Sequence, residues 1–182
     1  MTDASKPDPQ GSPALPPDDM NRDLALAQPD SDPSHKHVAV VGDTYTILIS
    51  GRQTAGQYAL IDMYVPPGGG PPPHRHDFEE MFHVLEGEVE IMFRGTRSIA
   101  HAGETVNIPA NAPHAFKNVS DRPARLHCMV SPAGAEDFFL AIGMPVATRT
   151  SPPPELSEAE RAELGVKMKT LAGKFGNEIL AL

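Results

Sequence analysis

The sequence predicts an all-β domain, a sandwich or a closed barrel, and three observations carry that prediction. From residue 38 to residue 130 short β-rich runs follow one another at close spacing. Turn chemistry separates them, and no helical pattern interrupts the series. No segment repeats with a period of roughly 20 to 50 residues, which argues against a solenoid.

The predicted strands are 38–41, 45–49, 58–65, 81–85, 89–93, 105–108, 115–119 and 124–130. Between them lie Gly42-Asp43, the stretch from Pro66 to Pro73, Glu86-Gly87, Arg94-Gly95 and Ala102-Gly103. The run 85–89 reads as a hairpin, with Gly87 supplying the positive φ of a tight turn. Both flanks differ in texture. Residues 1–36 are rich in Pro, Asp, Ser and Ala, with few large apolar groups beyond Leu15, Leu24 and Leu26. Such a segment buries too little surface to offset its ordering entropy, so a disordered tail is expected. Within it, 21–28 has the composition of a helical turn or a docking segment.

The barrel is expected over 37–143, followed over 144–182 by a Pro-rich linker and a helix. Ser157 and Glu160 have capping-box spacing, and Glu158 and Glu160 suit the positive end of the helix dipole. Leu164, Met168, Leu171 and Phe175 form one apolar stripe, and Gly176 sits at the C-terminal cap position. Gly165 and Gly173 weaken the helix, so it needs packing against the barrel or a second subunit.

Composition narrows the function. The formal charge is −9 with no basic run, which argues against nucleic acid and anionic membrane as partners. The acidic excess lies in the first 148 residues; the last 34 balance at five acids and five bases. A single cysteine, Cys128, permits no internal disulfide. The N-terminus lacks a basic region followed by an apolar stretch, and no window is apolar enough to span a bilayer. A soluble, cytoplasmic protein is the expectation.

The chemistry concentrates in two stretches. In the first, Gly68 to Gly87, His74 and His76 are two residues apart, so in extended chain both imidazoles face one side. Glu80 follows closely enough to reach the same point. In the second, Gly103 to Asn118, His114 offers a third imidazole from a neighbouring strand. Three neutral nitrogens and one anionic oxygen suit a divalent ion of the Fe, Mn, Ni, Co or Zn type. A His-x-His pair alone is weak evidence; two spaced segments together are not.

The first stretch resembles the first motif of the cupin superfamily: Gly68, His74, His76, Glu80 and Gly87 fill its fixed places. The second resembles the second cupin motif through Gly103, Pro109, His114 and Asn118, with Asn111 standing where the family usually has glycine. Asparagine tolerates left-handed backbone, so the turn is preserved. The resemblance implies a double-stranded β-helix, a jelly-roll barrel, with one divalent transition metal ion in its mouth on His74, His76, Glu80 and His114. It also implies homodimerisation. The Gly-Gly-Gly-Pro-Pro-Pro-His-Arg-His run and the helical tail are most similar to small proteins related to quercetin 2,3-dioxygenase.

Strand alternation turns Glu79 and His83 away from the ligands, although a slip in the loop would exchange Glu79 with Glu80; His101 falls in a predicted turn, and His35 and His37 lie at the edge of the disordered tail. His127 and Cys128 read as core residues in a buried strand. Phe82 and Phe116 share parity with the ligands and are expected, with Met63 and Met92, to line a substrate pocket. An apolar pocket beside a metal favours a small, partly apolar ligand. Three functions fit: a metal-dependent dioxygenase acting on an enol or phenol, with Glu80 as catalytic base; a metal-dependent isomerase or lyase; and a ligand-binding or sensing protein without turnover.

Overall fold

Alternation of apolar and polar residues makes each strand one-sided, and two such sheets bury their apolar faces against each other. The computed structural model describes residues 15–180. The larger sheet uses β1 (His37–Val40), β2 (Asp43–Ile49), β3 (Ala59–Val65), β5 (Glu79–Glu86), β8 (Thr105–Ile108), β10 (Ala124–Ser131) and β11 (Met144–Pro145). The smaller uses β4 (His74–His76), β6 (Glu88–Phe93), β7 (Thr96–His101), β9 (His114–Lys117) and β12 (Asn177–Ile179). Their orders are β11-β1-β2-β3-β10-β5-β8 and β12-β4-β9-β6-β7, and every pairing is antiparallel. This is the jelly roll that the resemblance implies.

Ile61, Met63, Phe82, Val84, Val89 and Leu126 fill the space between the sheets. Full burial of an apolar side chain of this size contributes roughly 1.5–3 kcal/mol. The turn glycines do what their sequence positions suggest, with one exception. Arg94 and Gly95 both have positive φ, the geometry of a tight hairpin turn between β6 and β7. Gly87, by contrast, does not close a hairpin. β5 pairs with β10 and β8, whereas β6 pairs with β7 and β9, so Gly87 carries the chain across a corner from one sheet to the other. Its φ of 74° makes the bend, and a Cβ there would press against the Pro123 carbonyl at 3.0 Å.

Beyond the eight expected runs the structure adds β4, β7, β11, β12 and an eight-residue helix, α1 (Ala135–Ile142). The second helix, α2 (Glu158–Ala172), begins with the expected capping box. Glu160 N–H donates to Ser157 Oγ at 3.3 Å, and Ser157 N–H donates to Glu160 Oε2 at 2.8 Å. A 3₁₀ turn, Gly173–Phe175, continues it, and Gly176 ends it with a left-handed φ of 66°. Leu164, Met168, Leu171 and Phe175 pack against the core, with the Phe175 ring 5.7 Å from that of Phe138 on α1. β12 then pairs with β4, so the C-terminal segment is hydrogen-bonded to the strand that carries His74 and His76.

The expected tail, 1–36, falls partly on residues 1–14, which lie outside the described residues. Residues 15–36 hold isolated turns and neither helix nor strand, so no helix forms at 21–28. The segment nevertheless touches the barrel and the linker that follows it. Arg22 donates to the Gln53 carbonyl at 3.0 Å, and Asp30 pairs with Arg149 at 2.6 Å. Among the described residues no helix is long and apolar enough to cross a membrane.

Candidate metal centre

β4 and β9 lie side by side in the smaller sheet with His74 opposite His114, so their side chains share one face. His76, two residues along β4, points the same way. Glu80 comes from β5 in the facing sheet, where burial alternates so that Glu80, Phe82 and Val84 turn inward and Glu79 outward. One ligand atom from each of His74, His76, Glu80 and His114 lies within 4.8 Å of all the others. Two separate stretches of chain thus place four side chains at one point between the sheets.

The loops are built to hold them there. Gly70, at φ 124°, lets the Gly68–Gly70 turn approach β9 so closely that a Cβ would collide with the Phe116 carbonyl. Asn111 takes a left-handed φ of 65°, as its place in the second motif requires, and its N–H donates to the His76 carbonyl at 2.6 Å. The buried Asn118 amide donates to the carbonyls of Val65 and Arg122 at 2.9 and 2.7 Å.

The orientation of the imidazoles tests whether a metal ion fits. Each Nδ1 lies 2.9 Å from a backbone carbonyl: His74 at Pro72, His76 at Phe78, His114 at Ala112. A carbonyl only accepts, so every Nδ1 carries its proton and every neutral ring presents a lone pair at Nε2. His76 Nε2 and His114 Nε2 lie 3.2 and 3.1 Å from Glu80 Oε2. Two such nitrogens and a carboxylate at one point require positive charge between them, a proton or a metal ion. The donor set fits the ion.

Charge states show the same demand for positive charge between the rings and the carboxylate. Burial, with His114 beside it, lowers the His74 pKa to about 4, so the ring stays neutral near pH 7. Burial alone would push the Glu80 carboxyl up, but hydrogen bonds from His114 and His76 hold it well below the usual carboxylate range. Burial works against the charged form of His114, and the bond to Glu80 more than offsets it, so its pKa is raised. Cys128 Sγ–H donates to the other oxygen, Glu80 Oε1, at 3.4 Å, and burial pushes this thiol far up. The Phe78 ring lies flat on His76, with centroids 3.9 Å apart and an interplanar angle of 3°.

The remaining histidines are engaged elsewhere. His35 bonds Ile47 and Gln28, His37 bonds Thr46, His83 bonds Thr105, and His101 pairs with Glu88. Glu79 accepts from Asn107 and Ala110 on the outside. His127 faces outward near Asp62 at 3.7 Å and is not the core residue expected, because Leu126, Cys128 and Val130 take the inward parity of β10.

A cavity of about 50 Å³ is lined by three of the four candidate ligands, His74, His76 and Glu80. Of the expected pocket residues, Met63 and Phe116 line it. Phe82 does not; it is sealed in the core behind Phe116, edge-on at 5.2 Å. Met92 does not either, because Val89 and Ile91 hold the inward face of β6 and turn Met92 away. Residues unforeseen in the sequence also line it, among them Tyr45 on β2, Phe138 and Phe139 on α1, and Met168 and Ile179 of the C-terminal segment.

Comparison with known proteins follows the same lines. The family model described as a cupin domain matches residues 61–130, a range that contains all four candidate ligands. Quercetin 2,3-dioxygenase of Bacillus subtilis (strain 168) is 29% identical over 109 residues, 59% of this chain and 32% of that protein. The polyketide synthase CurC of Streptomyces cyaneus is 33% identical over 94 residues, 50% of this chain and 60% of that protein. The chain therefore spans less than two thirds of either relative. Two solved structures share the fold. The polyketide cyclase RemF of Streptomyces resistomycificus has a TM-score of 0.52 at 22% identity, covering 80% of this chain and 98% of that one. An RmlC-like cupin of Shewanella frigidimarina has a TM-score of 0.53 at 18% identity, covering 65% and 99%.

Proposed function

This chain carries a cupin domain, and we propose that it uses that domain as a metal-dependent dioxygenase on a small, partly apolar enol or phenol. One divalent first-row ion would be held by His74, His76, Glu80 and His114. The observation that carries the reading is the set of three Nδ1–carbonyl bonds, which aim three Nε2 lone pairs at the Glu80 carboxylate. When bound, such an ion supplies Lewis acidity toward the substrate hydroxyl and a reaction site for dioxygen.

The chain's own groups supply the rest. Met63, Phe116 and Phe139 wall the cavity with apolar surface, which lowers the local dielectric and strengthens every charge interaction inside. Glu80 is the group placed to hold the substrate's hydroxyl proton on Oε2, while Cys128 anchors Oε1. The likeness to a quercetin 2,3-dioxygenase supports this class.

A second reading has its own support. The chain is similar to a polyketide synthase over 94 residues, and the same centre would serve a non-oxidative rearrangement of an enolic substrate. Oxygen consumption separates the two. Protein loaded in turn with Fe, Mn, Ni or Co is expected to consume oxygen with a flavonol, diketone or catechol. That uptake is expected to vanish in His74→Ala and Glu80→Ala. Loss of the substrate without oxygen uptake would favour the rearrangement. Neither oxygen uptake nor substrate loss with any ion would leave a binding protein.

A further inference from the structure

The cavity at His74, His76 and Glu80, about 50 Å³, has room for a water or two. Pockets that hold small organic ligands measure roughly 300–1,000 Å³. A groove of about 850 Å³ lies next to it. The two share Val41, Pro72, Met168 and Ile179, so a single layer of side chains separates the groove from the metal centre. Two of those four belong to the C-terminal segment.

The groove is apolar with a charged border. Ala39 and Met144 form one side, Pro153 and Leu156 of the linker another, and Leu164 and Gly165 of α2 a third. Arg161 and Lys169, about two turns apart on α2, stand at its edge. Neither makes an ion pair among the described residues, and Glu155 is the one acid in the lining. Among the lining residues only Pro72 lies inside the matched range 61–130, so the groove is built by parts of the chain outside that domain.

We propose that this groove binds a small amphipathic anion, its apolar body along Leu156, Leu164 and Met168 and its carboxylate, sulfonate or phosphate at Arg161 and Lys169. The end away from the anion then faces the wall of Met168 and Ile179 and, once these move, the metal centre. Binding in the groove stands on the groove alone; passage to the metal centre rests on the dioxygenase reading. The charge at the border selects against a neutral body of the same size.

The test uses the full chain and two fluorescent probes with a shared aromatic body: 8-anilinonaphthalene-1-sulfonate, an anion, and N-phenyl-1-naphthylamine, which is neutral. Two variants keep the fold. Arg161→Glu with Lys169→Glu reverses two exposed charges. Gly165→Phe fills the groove from a position where a Cβ meets nothing within 4 Å, and it removes a helix-weakening glycine. The anion is expected to bind with one-to-one stoichiometry. Charge reversal should weaken it at least tenfold and leave the neutral probe within twofold, and Gly165→Phe should weaken both at least tenfold.

Equal binding of the anion to wild type and Gly165→Phe overturns the proposal, as does indifference to charge reversal. Apparent affinity that falls as protein concentration rises would place a second copy in the groove and overturn it too. No metal or turnover enters these measurements. A chain that binds as stated but consumes no oxygen keeps the groove and loses the dioxygenase, and the reverse result separates them the other way.

Discussion

Asp43 offers a prediction that the structure makes quantitative. It lies on β2 with no exposed surface, accepting from Gly70 N–H at 3.1 Å and from the Tyr45 hydroxyl at 3.3 Å. Burial raises its pKa from 3.8 to about 8, more than those two bonds lower it. The folded state therefore binds this proton more tightly than the unfolded chain does. The contribution to stability is complete below the unfolded pKa, falls as pH rises, and is lost once pH passes the folded value. Each pH unit in that window is worth up to ~1.4 kcal/mol. Between pH 5 and pH 8 the loss should reach roughly 2–4 kcal/mol, the lower end allowing for water and relaxation around the carboxylate.

Asp43→Asn keeps an acceptor for Gly70, presents an amide to the Tyr45 oxygen, and removes the titration. Urea unfolding of both proteins at pH 5, 6, 7 and 8 gives the difference at each pH. Titrations elsewhere, including those of the three clustered histidines, cancel in that difference. The variant should gain on the wild type steadily as pH rises. A difference that stays constant within ~0.5 kcal/mol across the range would refute the account of a carboxyl held neutral by burial.

Three further outcomes follow from local geometry. Phe78→Ala removes the ring stacked on His76 and should cost about 3–5 kcal/mol in urea unfolding, with at least tenfold weaker metal binding by competition with a chelator. Gly70→Ala forces a side chain against the Phe116 carbonyl at positive φ, so a loss of at least ~3 kcal/mol, or failure to fold, is expected in the same assay. Ser157→Ala removes the cap of α2 and should cost about 1 kcal/mol without changing metal stoichiometry.

What the sequence made legible is what periodicity and local chemistry encode. The inward turn of Glu80 and outward turn of Glu79 follow from counting along β5, and the cap at Ser157 follows from spacing four residues. The same count along β6, started at Val89 and Ile91, would have turned Met92 outward, and along β10 it would have done so for His127. Other features have little local signal. β7 is an edge strand with most of its side chains exposed, so it carries no alternation of burial to read. α1 is two turns long and starts at Gly134 without a side-chain cap, which hides it from capping rules. Gly87 satisfied the chemistry of a hairpin turn, but which strands it joins depends on pairings between residues 22 to 52 apart in the chain. The placement of Met168 and Ile179 over the metal centre is longer-range still, since it depends on β12 reaching back about a hundred residues to β4.

His74, His76, Glu80 and His114 are expected to hold one divalent ion between the two sheets. Anomalous diffraction from crystals grown with Zn or Mn, recorded on both sides of the metal's absorption edge, measures this directly. The account predicts a single strong peak ~2.0–2.3 Å from the three Nε2 atoms and a Glu80 oxygen, with each Nδ1 still on its carbonyl. A peak on other side chains, or none in crystals of protein shown to be folded, would contradict it.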